Sequence, residues 1–353
     1  MRRCIAPRGG NRVAVYYANQ DLRLETRPTP AVSGGEVLLE VHASGICGSD
    51  LMEWYRRPRA PIVLGHEVAG VVAAVGDGVP EFRPGERIIA THHVPCLSCR
   101  YCTRGHETAC EMLRTTGFDP GGFADYIRIP TVNVQRGVLK IPDQVSDDAA
   151  SMVEPLGCAV RAQRKMGIRA GDSVVIVGAG VSGSLHLLAA HAHGAGPVFV
   201  ADIQAERRRL AASLGAEHVL DAAEDLGTAV RAILGHGADH AIVCAGQAAA
   251  VTAALDAVDR GGTVCMFAPL QPQERYPLPF NEVFWQHDVT LMSSYGSAPR
   301  DLHAALELIA GGRCDVDRLV THRLPLGRIQ EGFALMLGGR DSLKVIVDPR
   351  LDA

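Results

Sequence analysis

The chain has 353 residues, of which 47% are hydrophobic and 21% charged, and its formal net charge is −4. This apolar content excludes an intrinsically disordered chain, and the length suits two domains at about 150 residues each. The negative charge argues against a nucleic-acid-binding protein, which usually presents a basic face. It also argues against electrostatic binding to a membrane surface.

No segment has the pattern of a membrane span or an export signal. The longest apolar stretch, residues 174–190, is interrupted by glycines, serines and a histidine, whereas a spanning helix needs about 20 mostly apolar residues. The opening MRRCIAPRGGNR is not followed by the apolar region of a signal peptide. We therefore expect a cytoplasmic protein whose ten cysteines are metal ligands or free thiols rather than disulfides.

The first half of the chain is β-rich, and the middle alternates strands with helices. Runs of Val and Ile between Gly/Pro turns predict early strands at 12–17, 37–42, 68–75 and 87–90. Beyond residue 155 the pattern predicts helices at 157–166, 185–193, 205–214 and 251–258 and strands at 174–177, 198–201, 241–243 and 263–267. This alternation indicates βαβ units and a parallel sheet. A helix at 302–310, a β-like run and another helix follow, the last two within 324–347.

Four cysteines, Cys96, Cys99, Cys102 and Cys110, have the spacing C-x2-C-x2-C-x7-C. Two-residue spacings let one short loop wrap a tetrahedral zinc ion with four thiolate ligands. An iron–sulfur motif would have a three-residue last gap followed by proline, and neither is present. The pattern predicts a closed structural zinc site in a lobe at about residues 92–112, with no chemistry of its own.

A second set of metal-ligating residues mixes sulfur, nitrogen and oxygen: Cys47, His66, Glu67 and Glu154. A catalytic zinc keeps three protein ligands and one open position. Each residue alone also has an ordinary structural role, because a single cysteine is usually a small buried apolar residue. The spacing by itself leaves both interpretations open.

A glycine-rich loop follows the predicted strand 174–177. Gly178, Gly180 and Gly183 form G-x-G-x-x-G before a helix, the strand–turn–helix context of a dinucleotide-binding loop. Asp202 ends the next predicted strand, where a carboxylate binds the adenosine ribose and favours NAD over NADP. Val181 and Arg207 are further candidates for cofactor contact, although Arg207, Arg208 and Arg209 also suit the solvated face of a helix.

Together these motifs resemble the zinc-containing medium-chain dehydrogenases, the alcohol and polyol dehydrogenase superfamily. The resemblance rests on residues 45–50 (GICGSD), on residues 65–67 (GHE) with Gly70 and Gly76, on the four-cysteine lobe and on the glycine-rich loop. It covers residues 13–349.

The resemblance implies a Rossmann doubly wound parallel sheet inserted into a GroES-like β-barrel catalytic domain. The expected boundaries are 1–155 for the catalytic domain, 156–295 for the NAD-binding domain and 296–353 for the return to the catalytic domain, with the active site in the cleft between them. Relatives are homodimers or homotetramers, so we expect one of these two states.

The resemblance also assigns roles to the second metal set. Cys47 and His66 would bind catalytic zinc, and Glu67 or Glu154 would fill the third place, Glu154 directly or through water. Asp50 would fix the ring of His66, and Ser49 would touch the substrate oxygen as the first step of a proton relay. A glutamate at position 154, where simple alcohol dehydrogenases carry a cysteine, is found in sorbitol-dehydrogenase-like members.

Two positions depart from the sorbitol-type pattern. Met52 stands where those enzymes carry a histidine, so the proton exit must differ; Glu53 is a substitute or an exposed acid. Ser294 stands where they place an arginine before a tyrosine, here Tyr295. Unmodified sorbitol specificity is therefore not expected.

The expected activity is interconversion of a secondary alcohol and its ketone, coupled to NAD, with two zinc ions per chain. Polyols, sugars and cyclitols, including amino-cyclitols, are the expected substrates. A threonine-dehydrogenase-like enzyme is the alternative, and a simple alcohol dehydrogenase comes third. A zinc-free quinone reductase is disfavoured by the intact metal-ligating residues. A catalytically silent protein is disfavoured by Ser49 and Asp50.

Overall fold

The computed structural model describes residues 10–340 and 342–351, and these form two compact units. The first unit takes the described residues up to Pro155, Ser297–Ala310 and the described residues from Val316 onward. The second takes Leu156–Gly296 and Gly311–Asp315. The expectation that the chain has no signal peptide concerns residues 1–9, which lie outside the described residues.

Sixteen strands are present in the described part of the chain. They are β1 (Asn11–Ala18), β2 (Asp21–Arg27), β3 (Val37–Gly45), β4 (Ile62–Val63), β5 (Glu67–Val75), β6 (Arg87–Thr91), β7 (Tyr126–Ile129), β8 (Val138–Lys140), β9 (Val174–Val177), β10 (Val198–Asp202), β11 (His218–Asp221), β12 (Ala238–Val243), β13 (Val258–Met266), β14 (Thr290–Ser293), β15 (Val320–Pro325) and β16 (Lys344–Asp348).

Eleven α-helices accompany these strands within the same residues. They are α1 (Glu53–Arg56), α2 (Glu111–Thr115), α3 (Thr131–Gly137), α4 (Asp147–Ser151), α5 (Val153–Met166), α6 (Val181–Ala192), α7 (Ala205–Ser213), α8 (Leu226–Leu234), α9 (Ala248–Ala257), α10 (Pro299–Ala310) and α11 (Ile329–Gly338). None of these described helices has the length and apolar character needed to cross a membrane.

The first unit is built around a mixed sheet in the order β15-β16-β3-β5-β6-β8, with β7 also paired to β3. A second small sheet, β2-β1-β4, completes the β structure described for this unit. Buried apolar side chains from both sheets form one core, which includes Val15, Val41, Ile88, Ile127 and Val347. The alternation of apolar residues along the strands produces this core, because successive side chains of a strand point to opposite faces.

The second unit contains a six-stranded parallel sheet in the order β11-β10-β9-β12-β13-β14. In sequence order this is 3-2-1-4-5-6, the doubly wound arrangement of dinucleotide-binding domains. Successive strands are added on one side of β9 up to β11 and on the other side from β12 onward. This change in strand order between β9 and β12 creates a crevice at their carboxyl ends. The predicted parallel sheet is confirmed.

Several elements differ from the sequence prediction. Helix α5 starts at Val153, four residues before the predicted start. Pro155 does not end the helix, because it lies in the first turn, where a backbone N–H has no helical partner and can be missing at no cost. Strands β11 and β14 and helix α8 were not predicted. Strand β16, which follows the last predicted helix, was not predicted either. It is short and fully buried, but it begins with a lysine, a residue that usually indicates an exposed position.

Candidate active site

Strand pairing brings the second set of metal-ligating residues together. Cys47 follows the end of β3, and Glu67 begins β5; the two strands are antiparallel, with Gly45 opposite Glu67. The ligand atoms of Cys47, His66 and Glu67 all lie within 4.8 Å of one another. Sulfur, imidazole and carboxylate in one cluster are a donor set that suits zinc. The three residues therefore fit a catalytic metal.

Glu154 is not part of this cluster. It lies in the first turn of α5, beyond the group of ligand atoms that meet within 4.8 Å. The sequence left Glu67 and Glu154 as alternatives for the third ligand, and the geometry favours Glu67.

Asp50 is buried and contacts both Cys47 and His66. Its Oδ2 accepts a hydrogen bond from the backbone N–H of Cys47 at 3.1 Å, and its Oδ1 lies 3.5 Å from His66 Nδ1. This leaves Nε2 of His66 as the ring nitrogen for a metal. Burial opposes a charged imidazolium, but Asp50 and the Cys47 sulfur outweigh it and raise the pKa of His66 well above its usual value.

A buried lysine that the sequence analysis missed contacts the cluster. Lys344, at the start of β16, is 1% exposed, and its ammonium group forms an ion pair with Glu67, which is equally buried. It also donates a hydrogen bond to the carbonyl oxygen of Ile46 at 3.1 Å. A side chain at Gly45 would collide with both charged groups. Lys344 therefore neutralises a carboxylate that would otherwise be buried unpaired.

Arg56 is a second residue that the sequence analysis missed. Its Nε donates to the carbonyl oxygen of Ser49 at 3.0 Å, and its Nη2 donates to Ser49 Oγ at 2.9 Å. Nη2 also lies 3.2 Å from Asp50 Oδ1. Because arginine has no atom that accepts a proton, a relay that starts at Ser49 would continue through another group.

Two histidines adjoin the cluster. The rings of His66 and His92 lie 4.7 Å apart between centroids, and those of His92 and His93 stack at 3.6 Å. Burial, followed by the charges of His66 and Arg56, lowers the pKa of His93 to about 3.

The four-cysteine lobe has the geometry of a tetrahedral sulfur site. Four sulfurs at about 2.3 Å from one zinc would lie roughly 3.8 Å apart. The observed distances are 3.5 Å between Cys99 and Cys102 and 3.9 Å between Cys96 and Cys102, and Cys110 lies in the same cluster. Backbone hydrogen bonds from Ser98 and Cys99 lower the pKa of Cys96 to about 6, which favours the thiolate that binds metal. The lobe therefore fits a zinc ion.

The glycine-rich loop lies where the parallel sheet opens. Gly178 follows β9 with φ of +104°, a conformation that side chains rarely adopt, and a Cβ at Gly183 would collide with the carbonyl oxygen of Gly178. Gly180 caps α6 without a side chain, so the helix N-terminus is open to an anion. Val181 begins α6. These features fit a dinucleotide pyrophosphate.

Asp202 ends β10 beside this loop. Its carboxylate accepts hydrogen bonds from the backbone N–H groups of Ala179 and Gln204, both at 2.8 Å. Arg207 Nη1 lies 3.8 Å from it, so Arg207 faces the loop, whereas Arg209 pairs with Glu206 at the surface. The carboxylate is thus fixed at the position where a ribose would be recognised.

Comparisons with known proteins agree with this geometry. Residues 33–143 match the family model "Alcohol dehydrogenase GroES-like domain", and residues 181–311 match "Zinc-binding dehydrogenase". The chain is 33% identical over 338 residues to an L-threonine 3-dehydrogenase of Chelativorans sp. strain BNC1, covering 93% of this chain and 96% of that protein. The chain belongs to the zinc-containing medium-chain dehydrogenases. The predicted family and the GroES-like and Rossmann fold are confirmed.

Further relatives place this zinc-binding dehydrogenase among enzymes with different substrates. A sorbitol dehydrogenase of Bacillus subtilis is 33% identical over 360 residues, covering 96% of this chain and 97% of that one. A solved zinc-binding dehydrogenase from Sinorhizobium meliloti, bound to NADP, has a TM-score of 0.83 and 28% identity and covers 97% and 100%. The chain is thus a zinc-dependent oxidoreductase of a family that uses nicotinamide dinucleotides and small-molecule substrates.

Proposed function

We propose that this dehydrogenase interconverts a secondary alcohol of a polyol, sugar or (amino)cyclitol and its ketone by hydride transfer with NAD. The observation that carries the proposal is the meeting of Cys47, His66 and Glu67 beside the hydroxyl-bearing Ser49. The likeness to a sorbitol dehydrogenase supports a polyhydroxylated substrate. The likeness to threonine 3-dehydrogenases supports an amino-alcohol as the second candidate. A simple alcohol is the third candidate.

In this proposal Cys47, His66 and Glu67 hold the catalytic zinc. When bound there, zinc supplies Lewis-acid polarisation of the alcohol or carbonyl oxygen. Asp50 holds the ring of His66 in one orientation, and Lys344 balances the charge of Glu67. Ser49, fixed by Arg56, offers its hydroxyl to the substrate oxygen. Cys96, Cys99, Cys102 and Cys110 hold the second zinc and stabilise their own loop.

We further propose that the first unit is the catalytic domain and the second the NAD-binding domain. The described cysteines form no disulfide with one another, which favours a reducing compartment such as the cytoplasm.

Activity on a substrate panel tests the proposed reaction. The zinc-loaded protein is incubated with NAD at mildly alkaline pH with hexitols, cyclitols, amino-cyclitols, their carboxylate and phosphate derivatives, threonine and short alcohols, and NADH formation is followed. Turnover of polyols, cyclitols or their derivatives in preference to threonine and short alcohols supports the proposal. Preference for threonine supports the second candidate, and silence across the panel with zinc and NAD bound contradicts both.

Replacing Asp202 by alanine should shift cofactor preference toward NADP. The variant loses a charged acceptor for the ribose hydroxyls and a carboxylate that repels a 2′-phosphate. We expect the ratio of kcat/KM for NAD to that for NADP to fall by about 10- to 100-fold, the value of one or two charged hydrogen bonds. Asp221, which lies opposite Asp202 on the neighbouring strand, provides the control, and Asp221→Asn should leave the ratio unchanged. An unaltered ratio in Asp202→Ala would remove Asp202 from this role.

We also propose that the chain forms a homodimer, or a tetramer built from such dimers, through the β14 edge of the parallel sheet. In the described residues β14 pairs with β13 on one side only. In the segment that precedes it in the chain, Phe280 and Trp285 are 65% and 74% exposed. An open strand edge preceded by exposed aromatic side chains favours association with a second copy.

The Trp285→Lys variant should therefore shift the protein toward the monomer, because it places a charge in the proposed interface. Sedimentation velocity measures the change. Leu24, 50% exposed on the edge strand β2, serves as the matched control, and Leu24→Lys should not alter the mass. A Trp285→Lys protein of unchanged mass would exclude this edge as the interface.

A further inference from the structure

Arg56 has hydrogen-bonding capacity that the protein does not use. Its side chain is 13% exposed, and its contacts run from Nε and Nη2 to Ser49 and Asp50. No described residue accepts a hydrogen bond from Nη1 of this side chain. The unused donors lie on the same guanidinium that holds the Ser49 hydroxyl. The side chain that carries them thus contacts Ser49 directly, the residue proposed to touch the substrate oxygen.

A second arginine lies against the same aromatic ring. The guanidinium carbons of Arg56 and Arg59 lie 4.8 and 4.7 Å from the centroid of the Tyr55 ring. Contact with an aromatic ring fixes a guanidinium while leaving its N–H groups available. Arg59 has no hydrogen bond or ion pair to a carboxylate within the described residues. Two cations with open donors are therefore held against one tyrosine ring.

The surroundings are more positive than negative. Arg57 lies between Arg56 and Arg59, so three arginines fall within four residues of this segment. The Glu53 carboxylate forms an ion pair with Arg57 at 3.8 Å. The Asp50 carboxylate pairs with both Arg56 and His66. This segment of the first unit thus has a surplus of fixed positive charge. The protein as a whole is acidic, with a net charge of −4, so the surplus is local.

We propose that the alcohol substrate carries an anionic group, a carboxylate or a phosphate, and that Arg56 and Arg59 bind it. Guanidinium groups bind both anions through paired N–H···O bonds. This inference rests on the proposed function and narrows it, from neutral polyols and cyclitols to hydroxy acids or sugar phosphates. Arg56 also positions Ser49, whereas Arg59 acts on the anionic group alone.

Matched substrate pairs test the proposal. Sorbitol is compared with gluconate and with sorbitol 6-phosphate, and 2-butanol is compared with 3-hydroxybutyrate, all with NAD and the zinc-loaded enzyme. We expect kcat/KM to be at least about tenfold higher for one anionic member than for its neutral partner, the worth of one charged hydrogen bond. The gluconate and phosphate arms identify which anion is preferred. Equal or better turnover of the neutral members overturns the proposal and leaves the dehydrogenase function standing.

Variants of Arg59 locate the effect. Arg59→Gln should raise KM for the anionic substrate by about 10- to 100-fold with kcat little changed, and Arg59→Lys should restore part of the loss. Neutral substrates should not respond. Arg23 is the matched control, because it also stacks on a tyrosine, Tyr17, at 4.2 Å, and pairs with Asp21. A rise in KM for NAD instead of the substrate would assign these arginines to the cofactor and overturn the proposal.

Anion binding by Arg59 can also be measured without turnover. Trp54, in the same helix as Arg56, reports through its fluorescence in a Trp285→Phe background, because these are the two tryptophans of the chain. The zinc-loaded protein is titrated with malonate and with inorganic phosphate. Saturable binding of one anion that Arg59→Gln weakens at least about tenfold and Arg23→Gln leaves intact supports the proposal. Absence of binding, or binding that Arg59→Gln does not change, overturns it.

Discussion

The Cys47→Ala variant is expected to lose about a thousandfold in kcat/KM while binding NADH as the unmodified protein does. Cys47 offers the one sulfur of the cluster formed with His66 and Glu67, so its removal takes away a ligand of the catalytic zinc. Lewis-acid stabilisation is worth several kcal/mol, and each 1.36 kcal/mol is about tenfold in rate. The glycine-rich loop and Asp202 belong to the other unit, which explains why cofactor binding should persist.

Zinc analysis of the same variant separates the two metal sites. We expect its zinc content to fall from two ions per chain to one, because the four-cysteine lobe is untouched. Cys314→Ala is the control, since Cys314 is a buried free thiol outside both clusters, and it should keep both ions and its activity. Full activity in Cys47→Ala would exclude Cys47 as a ligand of the catalytic metal.

The Lys344→Met variant is expected to lose about 3–5 kcal/mol in the free energy of unfolding when metal has been removed. Both Lys344 and Glu67 are 1% exposed, and deleting one partner leaves a buried charge unpaired. Addition of zinc should recover part of the loss, because the bound metal then supplies positive charge next to the Glu67 carboxylate. Urea denaturation measures both values.

Two further variants test the origin of this loss. Lys344→Met combined with Glu67→Gln should recover most of the stability, since the unpaired charge is gone. Lys140→Met removes the partner of Glu86 in an exposed pair at 2.8 Å, and it should cost less than about 1 kcal/mol. Equal losses in Lys344→Met and Lys140→Met would show that the buried pair has no special role.

Local spacing was sufficient to predict some parts of the candidate site. The four cysteines of the lobe lie within fifteen residues, so any fold that wraps the loop brings them together. The glycine-rich loop is likewise one continuous segment between a strand and a helix. The prediction of Cys47 and His66 as a pair depended on the family resemblance, because their meeting requires the antiparallel pairing of β3 with β5.

The roles of Lys344 and Arg56 were not predicted, because their contacts depend on the folded structure. Lys344 meets Glu67 across 277 positions of the chain, and in a short strand it resembles a residue at a solvent-facing edge. Arg56 belongs to a run of arginines at 56, 57 and 59 that suggests a solvated helix face. Its contact with Ser49 depends on the turn at residues 48–51 and the short helix after it. Glu154 stays a predicted alternative to Glu67, since its position in the motif does not give its distance from the cluster.

The central claim is that zinc held at Cys47, His66 and Glu67 supports oxidation of a secondary alcohol by NAD. The most direct test is the rate of NADH formation from the best substrate of the panel as zinc is returned to the metal-stripped protein. We predict that activity is absent without zinc and returns as the catalytic site fills, and that Cys47→Ala does not recover. Full NADH formation in the stripped protein would contradict the account, as would silence with zinc and NAD both bound.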